Sequence, residues 1–140
     1  MSVPSWKRKE SSTEYLWQIY QLNIAISEIT ANKPKKYKDT YHDMLIKTAL
    51  KALTEANIAN DIYVTNEEEY MLRRNHLLEA RGQIYNVALI GDMFLEICKK
   101  SPYCDVDKCT RQQERIGNHC STCLKLINGV IKADKQRYKP

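Results

Sequence analysis

The chain has 140 residues, of which 43% are hydrophobic, and 22 Lys and Arg against 17 Asp and Glu give it a net charge of +5. This length fits one domain with its own hydrophobic core. No apolar run has the length of a membrane span and no signal peptide is recognisable, which predicts a cytoplasmic protein with no membrane partner. The modest positive excess is compatible with a polyanionic partner.

Residues 1–10 have no helical periodicity and are predicted to form a basic, flexible N-terminal arm. The arm's basic side chains are Lys7, Arg8 and Lys9. Residues 11–140 read as one helical domain, because Gly and Pro are few and most stretches have high helix propensity.

The first predicted helix opens with a capping box, in which Ser11 is followed three residues later by Glu14. It should end near Lys33, because Pro34 disfavours helical geometry in the residue before it. Its apolar positions recur at helical spacing: Tyr15, Ile19, Leu22, Ile26 and Ile29.

The second helix is predicted from about Thr40 to Asn60, with an apolar side that is rich in alanine. That side consists of Tyr41, Leu45, Ala49, Ala52, Leu53, Ala56 and Ala59. Small side chains at a helix contact allow two helices to approach closely, so we expect a neighbour to pack tightly here.

The third helix is predicted to begin at a capping box of Thr65 and Glu68 and to end near Lys99, before Ser101 and Pro102. Its main apolar stripe is Tyr70, Leu77, Ile84, Ala88 and Leu95.

The fourth helix should begin between Asp105 and Thr110 and run to about Lys135. Its stripe is Ile116, Cys120, Cys123, Leu124, Ile127 and Ile131. Four helices with short links predict an all-α, antiparallel up-down four-helix bundle.

Two of the helices carry more apolar surface than a monomeric bundle needs, since one stripe per helix is enough to form its core. The additional positions are Trp17, Tyr20 and Ile24 on the first helix and Ile90, Met93, Phe94 and Ile97 on the third. A second apolar face indicates cover by another subunit, so we predict a homo-oligomer with these residues at its interface.

Three charged residues, Arg74, Arg81 and Asp92, fall near the middle of the third helix's main stripe. A buried charge must be paired, because desolvation is costly. We therefore expect the arginines to bridge to acidic residues such as Glu28 or Glu55.

The five cysteines are an odd number, which favours free thiols over a disulfide framework. Cys104 and Cys109 could join Cys120 and Cys123, with His119 adjacent, in a zinc site. However, the second pair coincides with the apolar stripe, and a free cysteine commonly packs as a small hydrophobic side chain. The core interpretation is favoured, and no metal or cofactor is predicted.

The sequence has no nucleophile–base signature, Gly-rich phosphate loop or paired-carboxylate motif, which predicts a binding protein and not an enzyme. Its basic clusters lie at the chain ends and at a helix junction, in residues 7–9, 33–38 and 132–139. Such clusters can neutralise phosphates, although Lys-rich termini also occur simply for solubility.

Several segments together resemble the accessory variability determinant family, the four-helix-bundle accessory proteins of diversity-generating retroelements. The chain is also similar to the wider family of bundles encoded in ribosomal RNA intervening sequences. The segments that carry the resemblance are residues 2–8, 33–37, 56–64, 70–74 and 133–138.

The resemblance implies a ring-shaped homopentamer that binds an error-prone reverse transcriptase and its template RNA and supports mutagenic retrohoming without catalysing a reaction. Its matched basic segments contain Lys35, Lys36, Arg73 and Arg74. With the basic termini, the predicted set for nucleic acid or partner binding is Lys7, Arg8, Lys9, Lys35, Lys36, Arg73, Arg74, Lys132, Lys135 and Arg137. The alternative is a structural bundle of the intervening-sequence type that has no reverse-transcriptase partner.

Overall fold

The computed structural model describes residues 13–31, 41–102 and 104–138. In these ranges the chain is all-α, as predicted, and the described residues contain no strand. The helices are α1 (Glu14–Ala31), α2 (Asp43–Asp61), α3 (Glu67–Lys99) and α4 (Val106–Arg137). The predicted N-terminal arm, the Ser11 cap and the basic residues 33–38 lie outside the described residues.

The helices pack in a closed cycle, in which α1 and α3 each contact both α2 and α4. The Tyr15 hydroxyl near the start of α1 donates to the Ala56 carbonyl near the end of α2, at 3.4 Å. Glu28 near the end of α1 pairs with Arg115 in the first half of α4. Neighbouring helices therefore run antiparallel, and α1 and α3 lie at diagonal corners of the bundle.

The core follows the predicted stripe on α1 and the alanine-rich side of α2. The α1 positions Tyr15, Ile19, Leu22, Ile26 and Ile29 are all buried, and four α2 alanines are fully buried, Ala49, Ala52, Ala56 and Ala59. The small side chains let the backbones approach so closely that the Asn23 amide donates to the Ala49 carbonyl at 2.9 Å. The prediction of a tight contact on α2 is confirmed.

The buried stripe of α3 differs in part from the prediction. Leu77 and Ile84 are buried as expected, but the predicted positions Tyr70, Ala88 and Leu95 are only partly buried. The positions that continue the stripe are Val87, Gly91, Phe94 and Cys98. Residues 77, 84, 91 and 98 form a seven-residue repeat, the spacing that keeps one side of a helix against its neighbours. Gly91 carries no apolar side chain and Cys98 was not included in the predicted stripe, so the repeat was missed.

Helix boundaries follow local capping, with one shift from the prediction. Asn66, and not Thr65, caps α3 by accepting from the Glu69 backbone N–H at 2.8 Å. The Glu69 carboxylate in turn accepts from the backbone N–H of Thr65, which completes the box one residue later than predicted. Asp105 caps α4 through the Lys108 N–H. None of the helices in the described ranges combines the length and apolar character that a membrane crossing requires.

Candidate nucleic-acid interface

The C-terminal half of α4 has an exposed surface whose charges are all positive. Among residues 121–137 the only acid is Asp134, and its carboxylate is buried. The exposed cations of this half-helix are Lys125, Lys132, Lys135 and Arg137. Three of them belong to the predicted binding set, and Lys125 is an addition. The surface of this half of α4 is therefore suited to an anionic partner.

Asp134 adds little negative charge to that surface, because its carboxylate forms an ion pair with Arg73. The Arg73 Nε atom lies 2.6 Å from Asp134 Oδ2, and the two side chains are 12% and 10% exposed. A second guanidinium nitrogen of Arg73 donates to the Ala59 carbonyl at 2.9 Å. Arg73 was predicted to bind RNA or a partner. Three of its five N–H donors are used inside the bundle and its charge is offset by Asp134, so we expect it to contribute less to binding than the exposed cations.

An open groove of about 760 Å³ lies between the α2–α3 link and α4. We call it the α4 groove; the paired Arg73 and Asp134 lie in its lining, and the other lining residues are Asn60, Ile62, Tyr63, Val64, Lys125, Leu126, Gly129, Val130, Ala133, Arg137 and Tyr138. The Tyr63 side chain is 83% exposed at its edge. Exposed aromatic rings and cations side by side are the combination with which proteins bind single-stranded nucleic acid, by stacking on bases and neutralising phosphates.

The C-terminal end of the groove is held by aromatic contacts. The Tyr138 ring lies against Tyr70 of α3, with centroids 5.7 Å apart, and the Arg137 guanidinium lies 5.8 Å from the centroid of the Tyr138 ring. Tyr138 is partly buried, whereas Arg137 is exposed. Tyr138 also lines a smaller neighbouring hollow, together with Tyr70 and Glu67.

The charged residues that were expected inside α3 have other surroundings than predicted. Arg74 and Arg81 are partly exposed, and Arg81 donates to the Asn128 side chain at 3.1 Å. Asp92 is exposed and accepts from the Gln113 amide.

The two glutamates that were expected to pair with Arg74 and Arg81 pair with other side chains. Glu28 pairs with Arg115 at 2.8 Å and Glu55 with His76 at 2.5 Å. The prediction was wrong because Arg73, one position earlier than Arg74, is the arginine that faces the interior.

Apolar side chains remain on the outer surfaces of α1 and α3, at diagonal corners of the bundle. On α1, Trp17 and Tyr20 stack with centroids 5.5 Å apart, and both are partly buried, as is Ile24. On α3, the exposed stripe is Tyr85, Leu89 and Met93, which are 54%, 58% and 51% exposed. The two surfaces, which we call the α1 face and the α3 face, therefore point away from one another.

The predicted interface residues on α3 are distributed differently. Met93 is exposed as expected, and Ile90 and Ile97 are partly buried. Phe94 is only 9% exposed, and its ring packs against Tyr41 and His42 within the bundle. It is a core residue, and we remove it from the predicted interface. Tyr85 and Leu89 belong to the exposed stripe and were missed, although residues 85, 89 and 93 follow one another at four-residue spacing, which marks one side of a helix.

The cysteines separate into two groups. Cys120 and Cys123 lie in the main core, where burial raises the pKa of each thiol to about 12. This confirms the core interpretation for that pair. The other three, Cys98, Cys104 and Cys109, lie together where α3 meets α4. The four-cysteine set of the zinc interpretation is not assembled, because Cys109 and Cys120 are separated by roughly 16 Å along α4.

No protein-family model, curated protein or solved structure matches this chain. The likeness to retroelement accessory proteins therefore remains a prediction from the sequence pattern.

Proposed function

We propose that this protein is a non-catalytic accessory subunit that self-associates and binds a reverse transcriptase together with its template RNA. The RNA lies in the α4 groove, where cations contact phosphates and Tyr63 stacks on an unpaired base. The observation that carries the proposal is the coincidence of an exposed tyrosine with a half-helix whose exposed charges are all positive.

The internal pairing of Asp134 supports an RNA-binding role for this part of α4. A carboxylate on the groove surface would repel phosphates, but here its charge is balanced by Arg73 and withdrawn from solvent. Four cations remain exposed within 13 residues of one helix. Contacts of this kind bind RNA through its backbone, so affinity should fall steeply with salt and depend little on sequence.

The positions of the α1 and α3 faces support association into a ring. Because these faces lie at diagonal corners, the α1 face of one copy can cover the α3 face of the next. Such a head-to-tail contact closes into a ring when the rotation between copies permits. A ring places several copies of the groove on one particle, and several weak contacts then act together on one RNA.

The proposal requires a reverse-transcriptase gene beside this one, and co-expression with that polymerase tests the partner. We expect the polymerase and its template RNA to co-purify with the tagged protein at low salt, and the RNA to be released at high salt. A matched preparation carries Lys125→Gln and Arg137→Gln in the groove and should retain the polymerase but lose most of the RNA. Purification of the bundle alone, with neither polymerase nor RNA, would contradict the proposal and favour the intervening-sequence type.

A further inference from the structure

Three thiols converge where α3 turns into α4. Cys98 lies in the last turn of α3, Cys104 in the link and Cys109 in the first turn of α4. Their sulfur atoms all lie within 4.8 Å of one another, and the Cys98 and Cys109 sulfurs are 3.5 Å apart. In a tetrahedral zinc site with Zn–S bonds of about 2.3 Å, neighbouring sulfurs are about 3.8 Å apart. The cluster therefore has nearly the spacing of a zinc site.

The convergence depends on the hairpin that joins the two helices. The Ser101 N–H donates to the Cys98 carbonyl, which ends α3, and the Cys104 N–H donates to Ser101 across the turn. The Asp105 side chain then caps α4 and sets the position of Cys109 one turn into the helix. Local hydrogen bonds thus bring the three cysteines together. Five residues intervene between Cys98 and Cys104, and four between Cys104 and Cys109.

The surroundings suit a metal that binds thiolates. Cys98 and Cys109 are buried in a small apolar cluster with Phe94, whereas Cys104 is partly exposed. An ion could reach the cluster past Cys104 and, once bound, be shielded on the inner side. Zinc binds cysteine as the thiolate, so binding at this cluster would release thiol protons.

Ordinary core packing accounts less well for this group than for the other pair of cysteines. Cys120 and Cys123 are enclosed by the main core and need no further explanation. Cys104 is on a link with part of its surface in solvent, yet its sulfur lies beside those of two buried thiols. Three sulfur atoms close enough to bind one ion are the ligand type that zinc prefers.

We propose that Cys98, Cys104 and Cys109 bind one zinc ion per chain as thiolates. Water or another small donor takes the fourth position, because three protein ligands leave a tetrahedral ion with one open position. Binding releases the remaining thiol protons and gives a site of net charge −1.

The bound ion joins the end of α3 to the start of α4, so the loaded protein is more stable than the free protein. This inference is independent of RNA binding, because the cluster is at the opposite end of α4 from the α4 groove.

The test uses the full chain, reduced and stripped of metal, with Zn²⁺ alone as the probe and native mass spectrometry as the readout. We expect one zinc per chain, a higher Tm with excess zinc, and a sulfur-to-metal charge-transfer band when Co²⁺ replaces Zn²⁺. Cys104→Ser changes the most exposed ligand. Loss of a residue that only supports a metal ligand weakens metal binding by roughly 10- to 100-fold, so loss of this ligand should weaken zinc binding by more than that.

The matched control is Cys120→Ala, which removes a core thiol outside the cluster and should still bind one zinc. Circular dichroism establishes that both variants are folded. Failure of the reduced wild-type protein to bind zinc would overturn the proposal, and so would equal affinity in Cys104→Ser. Isolation of a Cys98–Cys109 disulfide that, after reduction, takes up no zinc would also overturn it and assign the pair to redox chemistry.

Discussion

Arg73 and Asp134 join three helices at one end of the bundle. The guanidinium of α3 forms a two-point contact with the carboxylate of α4 at 2.6 and 3.4 Å, while its third nitrogen donates to the last turn of α2. Burial acts to lower the pKa of Arg73, but the side-chain hydrogen bond to Asp134 and the attraction to that carboxylate together outweigh it and raise the pKa. The Arg73–Asp134 pair thus stabilises the floor of the α4 groove and offsets the negative charge of Asp134 there.

Breaking this ion pair should destabilise the fold strongly. Asp134→Ala leaves a buried guanidinium without its counter-charge, and we expect a loss of about 3–5 kcal/mol in the free energy of unfolding, measured by urea denaturation. The control is Lys47→Ala, which removes an exposed ion pair with Asp43 and should cost no more than about 0.5 kcal/mol. Similar small losses in both variants would show that the internal pair does not stabilise the bundle.

Alkaline unfolding should report on Tyr15. Burial raises the pKa of this fully buried phenol from 10.0 to about 12, because the interior disfavours the phenolate. The folded state keeps its proton where the unfolded chain loses it, so the contribution of Tyr15 to stability is complete below pH 10 and falls as the pH rises toward 12. The total loss is on the order of 2 kcal/mol.

Tyr15→Phe is the matched variant for that experiment. It should lower stability at neutral pH by about 1 kcal/mol, because the hydrogen bond to the Ala56 carbonyl is removed. Above pH 10 its stability should decline less than that of the wild type. Parallel declines of the two proteins would contradict the assignment.

Two glycines of α3 should respond in opposite ways to alanine. Gly82 has open space around its Cα, so Gly82→Ala should stabilise the protein by about 0.5–1 kcal/mol through helix propensity. A methyl group at Gly91 would overlap with the Gln113 amide, which donates to Asp92 at 2.8 Å. Gly91→Ala should therefore lack that gain, because Gln113 must give up its hydrogen bonds. Equal stabilisation in both variants, measured by thermal unfolding, would show that Gln113 moves without cost.

Self-association should require both apolar faces. Leu89→Glu on the α3 face and Tyr20→Glu on the α1 face should each give a monomer in analytical ultracentrifugation, because a charge must be desolvated in the contact. Leu50→Glu on α2 changes a comparably exposed leucine and should leave the assembly intact.

Mixing the two variants distinguishes a head-to-tail contact from a symmetric one. Each retains one intact face, so a mixture should form a dimer of one copy of each and nothing larger. A mixture that stays monomeric would exclude contact between the α1 and α3 faces.

Much of the bundle could be predicted because its signals are local. The α1 stripe, the end of α3 near Lys99 and the beginning of α4 after Asp105 follow from helical periodicity, capping and the position of Pro102. The core role of Cys120 and Cys123 follows from their place in the α4 stripe. These features depend on neighbours within a few turns of the same helix, which the sequence displays directly.

The rest depends on contacts between helices, which one helix's pattern does not contain. Gly91 is buried because Gln113 of α4 lies against it, and Phe94 is buried because Tyr41 and His42, just before α2, pack against its ring. From the sequence, Tyr63 is part of a short link between two helices. Its place in the candidate site follows from the fold, which positions that link beside α4.

The grouping of Cys98 with Cys104 and Cys109 was not predicted either. It depends on the turn between α3 and α4, which brings the three sulfur atoms together.

Salt-dependent binding of a single-stranded RNA, followed by fluorescence anisotropy, is the sharpest test of RNA binding in the α4 groove. We expect Lys125→Gln with Arg137→Gln to weaken binding. The negative slope of log K against log salt should become shallower by about 0.7 for each phosphate that is no longer neutralised. Tyr63→Ala should weaken binding by about 1–3 kcal/mol with the slope unchanged. The control, Lys47→Gln with Lys51→Gln on α2, should bind like the wild type. Wild-type affinity in the groove variants, or wild-type binding that is insensitive to salt, would contradict the account.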